Sequence, residues 1–307
     1  MRTPMHSQRI DNGTLWTVTA LLIGSMAAIL VATMVNLAVP TLASDFNAAT
    51  TEIQWVTTAY LLAMASAIPT SGWLESRWGG KSSWMLAMSL FLVGTLLCAC
   101  SWNFASLIVF RALQGFGGGL IFPIMQTLCV RAVGGSPTPR LMATVSLPMA
   151  LGPILGPVIA GIVLNWLGWR WLFVSIIPII VMGMMLSARY VPRDDPAKRT
   201  ESHALDAVGL LLLSPGLTML LLALSNIVRD ARIAHVGVIL PSAIGLLFLG
   251  FFCLWALHGT THPIVDIRLF RFRSLTGSCI VLVVSGAIMY AAMFLLPLYY
   301  QDLRGMS

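Results

Sequence analysis

The feature that most constrains the fold is a series of long apolar runs, which recur from one end of the chain to the other. A run of roughly 18 or more apolar residues can cross a hydrocarbon core of about 30 Å as a helix. A helix also satisfies its own backbone hydrogen bonds in lipid, where no water is available. Only 9% of the residues are charged, against about 25% in soluble domains. The chain is therefore predicted to be an all-α polytopic membrane protein.

Hydropathy predicts nine membrane spans. They run near residues 15–38, 53–74, 82–102, 106–130, 141–164, 171–190, 207–228, 236–257 and 275–299. The first run is too long for the apolar core of a signal peptide, and no small-residue cleavage site follows it. It is therefore kept as a span.

A hydrophilic stretch after the sixth span divides the chain and is the predicted domain boundary. The predicted units are a cytoplasmic N-terminus at 1–14, a six-helix bundle at 15–191, a cytoplasmic loop at 192–206, two linker helices at 207–257, a basic cytoplasmic loop at 258–274 and a ninth helix at 275–307.

Basic residues in the loops predict the orientation. With the N-terminus in the cytoplasm, the opposite side holds only Arg170, Arg229, Arg232 and Arg304. The cytoplasmic side holds Arg2, Arg9, Arg77, Lys81, Arg131, Arg140, Arg189, Arg193, Lys198, Arg199, Arg268, Arg271 and Arg273. Because this basic excess lies mostly in short loops, it indicates orientation and not binding of nucleic acid.

Arg111 is the one charged residue well inside a predicted span. A charge at the centre of a membrane helix costs about 2.5–3.5 kcal/mol on insertion scales, so it marks a partner or a polar pathway by default. Gln114 lies one turn away on the same face, and the glycines that follow permit close helix contact. The alternative is that Arg111 extends to the outer interface of the membrane.

Polar and glycine-rich segments on other spans are further candidates for the site. Asn36, in the first span, is predicted either to bond across helices or to contact a ligand. In the loop between spans two and three, Gly72 and Gly79 permit a tight turn. Arg77 and Lys81 can bond the carbonyls at the C-terminus of a neighbouring helix.

The fifth span carries two Gly-Pro pairs in register. Gly152, Gly156 and Ala160 form one small-residue stripe, which predicts tight packing against another helix. Pro153 and Pro157 each remove a backbone donor and are expected to bend the span. Gly161 completes the motif.

No cluster of side chains predicts catalysis or metal binding. The cysteines, which all fall in or at the ends of spans, lack metal-ligand spacing and are interpreted as packing residues. They are Cys98, Cys100, Cys129, Cys253 and Cys279. We expect no enzyme activity, metal or cofactor.

These segments, in this order, resemble the major facilitator superfamily, and most of all its fourteen-helix drug–proton antiporters of the QacA/EmrB type. Segment 72–81 resembles the loop signature of the superfamily, and Arg111 with the glycines after it resembles the span-four motif. Segment 152–161 resembles the antiporter motif, and segment 30–40 the first-helix motif. Supporting similarities lie at 55–60, 169–173, 205–209 and 296–300.

The resemblance implies efflux of lipophilic drugs or small solutes by alternating access with proton antiport. It implies a bacterial cytoplasmic (inner) membrane, and it places Arg111, Gln114 and Asn36 on a substrate or proton pathway. Gly72, Arg77, Gly79 and Lys81 would form a gating loop, and the helix with Gly152, Pro153, Gly156, Pro157 and Gly161 would lie between bundles. The expected partners are small-molecule substrates, protons, the lipid bilayer, a second bundle and accessory efflux subunits.

The sequence departs from the family pattern at three positions and in length. Val31 stands where the first-helix Asp is expected. Ser76 replaces the Asp of the loop signature, and Glu75, one place earlier, is expected to point elsewhere. Ile176 replaces the Asn that the family has after the Trp-Arg-Trp segment. The family fold has six helices, two linker helices and six more, whereas this sequence supplies six, two and one. The second bundle is thus expected to be truncated.

Three functions follow as hypotheses. The first is the N-terminal part of a multidrug or small-solute exporter, with Arg111 lining its cavity. The second is a non-transporting remnant or a membrane interaction subunit. The third is a metabolite carrier without proton coupling, with which Val31 is compatible because a Val cannot titrate.

Overall fold

A computed structural model describes residues 12–133, 139–194, 206–230, 235–260 and 263–304, and within these ranges the chain is helical without strands. The structure describes only residues 12–14 of the predicted N-terminal segment 1–14. Of the predicted loop 192–206 it describes only residues 192–194 and 206.

The helices are α1 (Asn12–Phe46), α2 (Thr50–Ile53), α3 (Trp55–Ala67), α4 (Thr70–Trp78), α5 (Gly80–Ala99), α6 (Phe104–Ala132), α7 (Pro139–Trp166), α8 (Arg170–Tyr190), α9 (Ala207–Asp230), α10 (Val236–Leu254) and α11 (Arg273–Arg304). A π-helical turn (Trp255–Gly259) extends α10, and a 3-10 turn (Ile267–Arg271) precedes α11.

Eight of the nine predicted spans coincide with single helices to within several residues. The second predicted span is instead divided into α2, α3 and α4. Pro69 lies at the α3–α4 junction, and because it has no backbone N–H it cannot extend the hydrogen-bond ladder of α3. The predicted span at 53–74 is therefore interrupted in its hydrogen-bond ladder at Gln54 and at Pro69, while the backbone at both positions keeps right-handed helical angles.

Six of the described helices are long and apolar enough to cross a membrane, namely α1, α5, α6, α8, α9 and α10 with its π-helical turn. Shorter apolar helices occupy Trp55–Ala67, Leu151–Trp166 and Arg273–Ile288 among the described residues. The chain is an integral multi-pass membrane protein.

The main apolar core lies among α1, α3, α5, α6 and α8. α6 is central to it, because α3 and α5 pack along two of its faces. A methyl group on Gly115 would overlap the carbonyl of Tyr60 in α3, and one on Gly117 would lie 2.5 Å from the backbone nitrogen of Phe91 in α5. These contacts confirm the prediction that the glycines after Arg111 admit neighbouring helices closely.

α9 and α10 pair with each other around a small separate cluster formed by Leu213, Phe252 and Ala256. The pair contacts the first bundle through α3. Hydroxyl groups bridge this contact, because Ser66 Oγ lies 3.1 Å from Thr218 Oγ1 and Thr58 Oγ1 lies 3.4 Å from Ser225 Oγ. We call these two pairs the hydroxyl ladder.

The helix ends alternate between two sides of the bundle. At one side Asp45, in the last turn of α1, accepts a 2.7 Å hydrogen bond from Trp169 Nε1 and lies 3.8 Å from Arg170 Nη1. Arg170 also donates to the carbonyl of Ser101, after α5. The end of α1, the end of α5 and the start of α8 therefore meet at one end of the bundle, as the predicted order of spans requires.

Candidate functional site

The candidate site is built around α6, whose start is fixed by a side-chain cap. Asn103 Oδ1 accepts a 2.7 Å hydrogen bond from the Ser106 backbone, and Ser106 Oγ accepts from the Asn103 backbone at 3.2 Å. Such a cap satisfies backbone donors that a helix otherwise leaves open. It sets where α6 begins and hence which residues, two turns later, face α3 and α5.

Arg111 lies wholly inside the bundle, with none of its surface exposed. Its Nε donates to the carbonyl of Val56 at 3.1 Å, and its Nη1 donates to Gln114 Oε1 at 2.6 Å. The alternative in which Arg111 extends to the membrane interface is therefore wrong. Arg111 also does not line an open cavity in this conformation, because α3, α5 and α6 enclose it.

Arg111 is held as a cation without a carboxylate beside it. None of the ion pairs found among the described residues includes it. Its guanidinium carbon lies 4.2 Å from the centre of the Tyr60 ring, and such a cation–π contact is worth about 2 kcal/mol or more when desolvated. Arg111 Nη2 is buried and has no hydrogen-bond partner among the described groups. One donor thus remains available inside the bundle.

Gln114 connects Arg111 to α5. Its Nε2 donates to Thr95 Oγ1 at 2.7 Å, and Thr95 donates in turn to the carbonyl of Phe91 at 2.7 Å. All of these side chains are buried. Thr95 was missed from the sequence, since a single Thr in an apolar span carries no distinguishing signal. Tyr60 lies in segment 55–60, which supports the family resemblance, but its contact with Arg111 was not predicted.

Asn36 lies on the exposed surface of α1 and meets the Arg111 network through the first turn of α3. Asn36 Oδ1 accepts a 3.3 Å hydrogen bond from Thr57 Oγ1, and the preceding residue, Val56, supplies the carbonyl that binds Arg111. The structure therefore brings the three predicted pathway residues to one segment of α3, with Asn36 outside and Arg111 with Gln114 inside.

Val31, at the position where an acidic residue was expected, belongs to the apolar core. It is 1% exposed and packs among the residues of the main cluster. A side chain that cannot ionise occupies a dry site there, so this position carries no proton in this chain.

The loop between α4 and α5 binds the end of α8. Gly79 adopts φ +87°, a left-handed conformation that favours glycine. It lies against the side chain of Asp194, which accepts a 3.0 Å hydrogen bond from the Lys81 backbone. Lys81 Nζ donates to the carbonyls of Ala188 and Val191, both at 2.7 Å. The prediction that Lys81 bonds the C-terminal carbonyls of a neighbouring helix is confirmed.

The other two residues of this loop behave differently from the prediction. Gly72 lies inside α4, not in a turn, and a methyl group added there would meet nothing within 4 Å. The carbon at the centre of the Arg77 guanidinium lies 5.7 Å from the centre of the Trp73 ring. The turn thus depends on Gly79, and the contact with helix carbonyls on Lys81.

Glu75 forms the ion pair of this loop. It is 7% exposed and its Oε2 lies 3.4 Å from Arg131 Nη2, at the end of α6. Arg131 Nη1 lies 3.8 Å from Asp194 as well. Ser76 instead bonds the Trp73 carbonyl of its own helix. Burial raises the pKa of the Glu75 carboxyl to about 7, although nearby Arg131 favours its charged form.

The small-residue stripe of α7 packs against α1. A methyl group on Gly152 would overlap Ile29, and one on Gly156 would overlap Thr33. Ala160 is fully buried. The predicted tight packing is confirmed, with α1 as the partner. Gly161 faces open space and takes no part in it.

The opposite face of α7 is apolar and exposed. Ile154 is 64% exposed, Val158 57% and Ile162 60%, and Pro153 and Pro157 lie half-buried between the two faces. α7 thus uses its glycines within the first bundle and presents branched aliphatic side chains outward.

Residues 21–307 match the profile of the Major Facilitator Superfamily. The chain is similar to the "Multidrug resistance protein B homolog" of Mycobacterium tuberculosis, with 35% identity over 98% of this chain and 55% of the relative.

Two further relatives are 30% identical over 94% of this chain. One is the "Fatty acid resistance protein FarB" of Neisseria gonorrhoeae, of which the match covers 57%. The other is the "Uncharacterized MFS-type transporter YhcA" of Bacillus subtilis, of which it covers 53%. The chain therefore spans about half the length of these curated relatives.

Proposed function

Because the chain belongs to the major facilitator superfamily, we propose that it contributes the first helix bundle and the linker helices of an exporter of small lipophilic compounds. The family match over residues 21–307 is the observation that carries this proposal. The names of two relatives, a multidrug resistance protein homolog and a fatty acid resistance protein, support export of lipophilic molecules. The family transports solutes and is not a family of enzymes.

The proposed organisation follows the predicted units. The bundle at 15–191 would alternate access together with a second bundle, as transporters with repeated halves do. The linker helices at 207–257 would move with the first bundle, since the hydroxyl ladder binds α9 to α3. The N-terminus would lie in the cytoplasm of a bacterial inner membrane, in agreement with the basic loops.

In this proposal Arg111 and Gln114 form the polar interior of the pathway, and Asn36 its outer contact. The support is Arg111 Nη2, which has no hydrogen-bond partner among the described groups. Once α3 and α6 separate, it could donate a hydrogen bond to a water molecule or to an anionic group. Lys81, Gly79 and Arg77 would belong to a gating loop whose closed arrangement is the bonded contact with Asp194 and the end of α8.

Transport is tested in everted membrane vesicles that contain the protein expressed from its natural gene, with ethidium as the probe. We expect energy-dependent uptake of ethidium above that of vesicles from cells with an empty vector. Uptake equal to the empty-vector level would contradict the proposal.

A second candidate, a carrier without proton coupling, is favoured by the burial of Val31 in the apolar core. The same vesicles separate the two. Collapse of the transmembrane pH difference by nigericin should abolish ethidium uptake by a proton-coupled exporter, whereas an uncoupled carrier should keep moving its solute at the same rate.

A further inference from the structure

The segment between the linker helices and α11 forms an ordered turn with three arginines. We call residues 266–273 the basic turn. Asp266 Oδ1 accepts a 3.0 Å hydrogen bond from the Arg268 backbone, and Thr276 Oγ1 donates to the Phe270 carbonyl at 2.6 Å. Arg268 Nη2 donates to the Leu257 carbonyl at 2.8 Å. These contacts bind the turn at both ends.

One side of the basic turn is attached to the linker helices. Ile267, together with Ile264 just before the turn, packs on the cluster of Leu213, Phe252 and Ala256. Asp206, just before α9, also binds this region. Its carboxylate accepts hydrogen bonds from the Ile264 backbone at 3.3 Å and from Trp255 Nε1 at 2.9 Å. The turn is therefore a surface of defined shape.

The other side of the basic turn exposes apolar and basic side chains in alternation. Leu269 and Phe270 are each 48% exposed and Phe272 is 65% exposed. The turn follows α10, which with its π-helical turn is long enough to cross a membrane, and precedes the shorter apolar helix Arg273–Ile288 of α11. A basic turn between two apolar helices is expected at a membrane boundary. There aromatic rings enter the headgroup region and arginines meet phosphates.

A polar cavity adjoins the basic turn. It has a volume of about 490 Å³ and is lined by His258, Gly259, Thr260 and Arg268. His258 and Arg268 are exposed, so the cavity opens toward the surroundings. Its lining of a cation, an imidazole and a hydroxyl suits a phosphate group.

We propose that the basic turn and its cavity bind the headgroup of an anionic phospholipid. Arg268 holds the phosphate at the cavity, Arg271 and Arg273 attract the negative surface, and Phe270 and Phe272 lie among the first acyl carbons. Within residues 266–273 the sequence has three arginines and one acid, Asp266, whose carboxylate caps the turn. A soluble anion would not account for the exposed rings, so the occupant is a lipid.

The test is native mass spectrometry of the full chain in neutral detergent, titrated with phosphatidylglycerol or phosphatidylcholine. Wild-type protein should retain more phosphatidylglycerol than phosphatidylcholine. R271Q/R273Q should weaken that retention by roughly tenfold or more, since each basic residue near an anionic surface contributes substantially to binding. R189Q/R193Q, which removes the same charge from exposed sites elsewhere, should retain the lipid as wild type does.

Three results would overturn the proposal. One is equal retention of the two lipids by wild-type protein, a comparison that needs no variant to fold. A second is equal loss of phosphatidylglycerol in both double variants. Glycerol phosphate, which carries the charge without acyl chains, should not displace the lipid. Displacement at equal concentration would show that the site takes a soluble anion and would also overturn the proposal.

Discussion

At the scale of single residues, two charged side chains are buried in the part of the chain that the structure describes, Arg111 and Glu75, and they have different kinds of partner. Arg111 is paired with a carbonyl, an amide and an aromatic ring. Glu75 has an ionic partner, Arg131, at 3.4 Å. A buried charge is costly unless it is paired and hydrogen-bonded. Because burial disfavours the charged form of Glu75 more than Arg131 favours it, the pKa of Glu75 is raised to about 7. We therefore expect Glu75 to change its protonation near neutral pH.

The first prediction concerns the pH dependence contributed by Glu75. Its pKa of about 7 in the folded protein lies above the ordinary value of 4.5. Between these values the folded state binds more protons than the unfolded state, so the contribution of Glu75 to stability is greatest below the lower value and declines as the pH rises to about 7. Thermal unfolding of wild type in detergent should show this decline.

Glu75→Gln is the matched variant, because it keeps the shape of the side chain and removes the titration. Its unfolding temperature should change less between pH 5 and pH 7.5 than that of wild type. The prediction fails if the two proteins lose stability in parallel over that range.

At the scale of helices, glycines set the contact between α1 and α7. Gly156→Ala places a methyl group against Thr33, a β-branched residue with little freedom to move. Overpacking of this kind costs about 1–3 kcal/mol. Gly161→Ala is the control on the same helix, where the methyl meets open space and alanine is favoured over glycine by up to about 1 kcal/mol.

Thermal stability in detergent measures the difference between these variants. We expect Gly156→Ala to unfold at a lower temperature than wild type and Gly161→Ala at the same or a higher temperature. Equal destabilisation by both would mean that α7 does not pack on α1 as described.

The hydroxyl ladder gives a second prediction for helices. Each interhelical hydrogen bond in a membrane contributes about 0.6 kcal/mol on average. T218V with S225A removes both pairs of the hydroxyl ladder and leaves the hydrogen bond from Ser214 to the Ser66 carbonyl. It should increase hydrogen exchange in peptides of α9, while peptides of α8 stay unchanged. T19V, whose hydroxyl bonds only its own helix, is the control and should leave α9 as in wild type. Unchanged exchange of α9 in the double variant would contradict the docking.

The sequence predicted the helices well because apolar length is a direct requirement of the bilayer, and α8 and α9 begin within one residue of their predicted starts. It did not predict the interruption of helical hydrogen bonding at Pro69, because a local break inside an apolar run does not alter hydropathy. It also predicted that Arg111 and Gln114 share a face, but not that Thr95 and Tyr60 meet them. Those contacts depend on how α3 and α5 pack on α6, which hydropathy does not specify.

At the scale of the whole molecule, the contacts place alternate loops at opposite ends. Lys81, Arg131 and Asp194 meet at one end, and Asp45, Ser101 and Arg170 at the other. The basic residues predict that the first of these ends lies in the cytoplasm.

Cysteine labelling tests this orientation in a variant without the native cysteines. An impermeant maleimide added to intact cells should label Trp102→Cys, at a residue that is 72% exposed at the outer end. It should label Arg193→Cys only after the cells are broken. The reverse pattern would contradict the predicted orientation.

We propose that the buried Arg111 network belongs to a transport pathway, and uptake of ethidium by everted vesicles is the direct test of that role. Arg111→Ala removes charge-assisted hydrogen bonds worth about 1.5–3 kcal/mol each, so uptake should fall by roughly tenfold or more. Arg189→Ala, which removes an exposed arginine, should transport as wild type does. Arg111→Ala protein that is present at normal abundance and transports at the wild-type rate would contradict the claim.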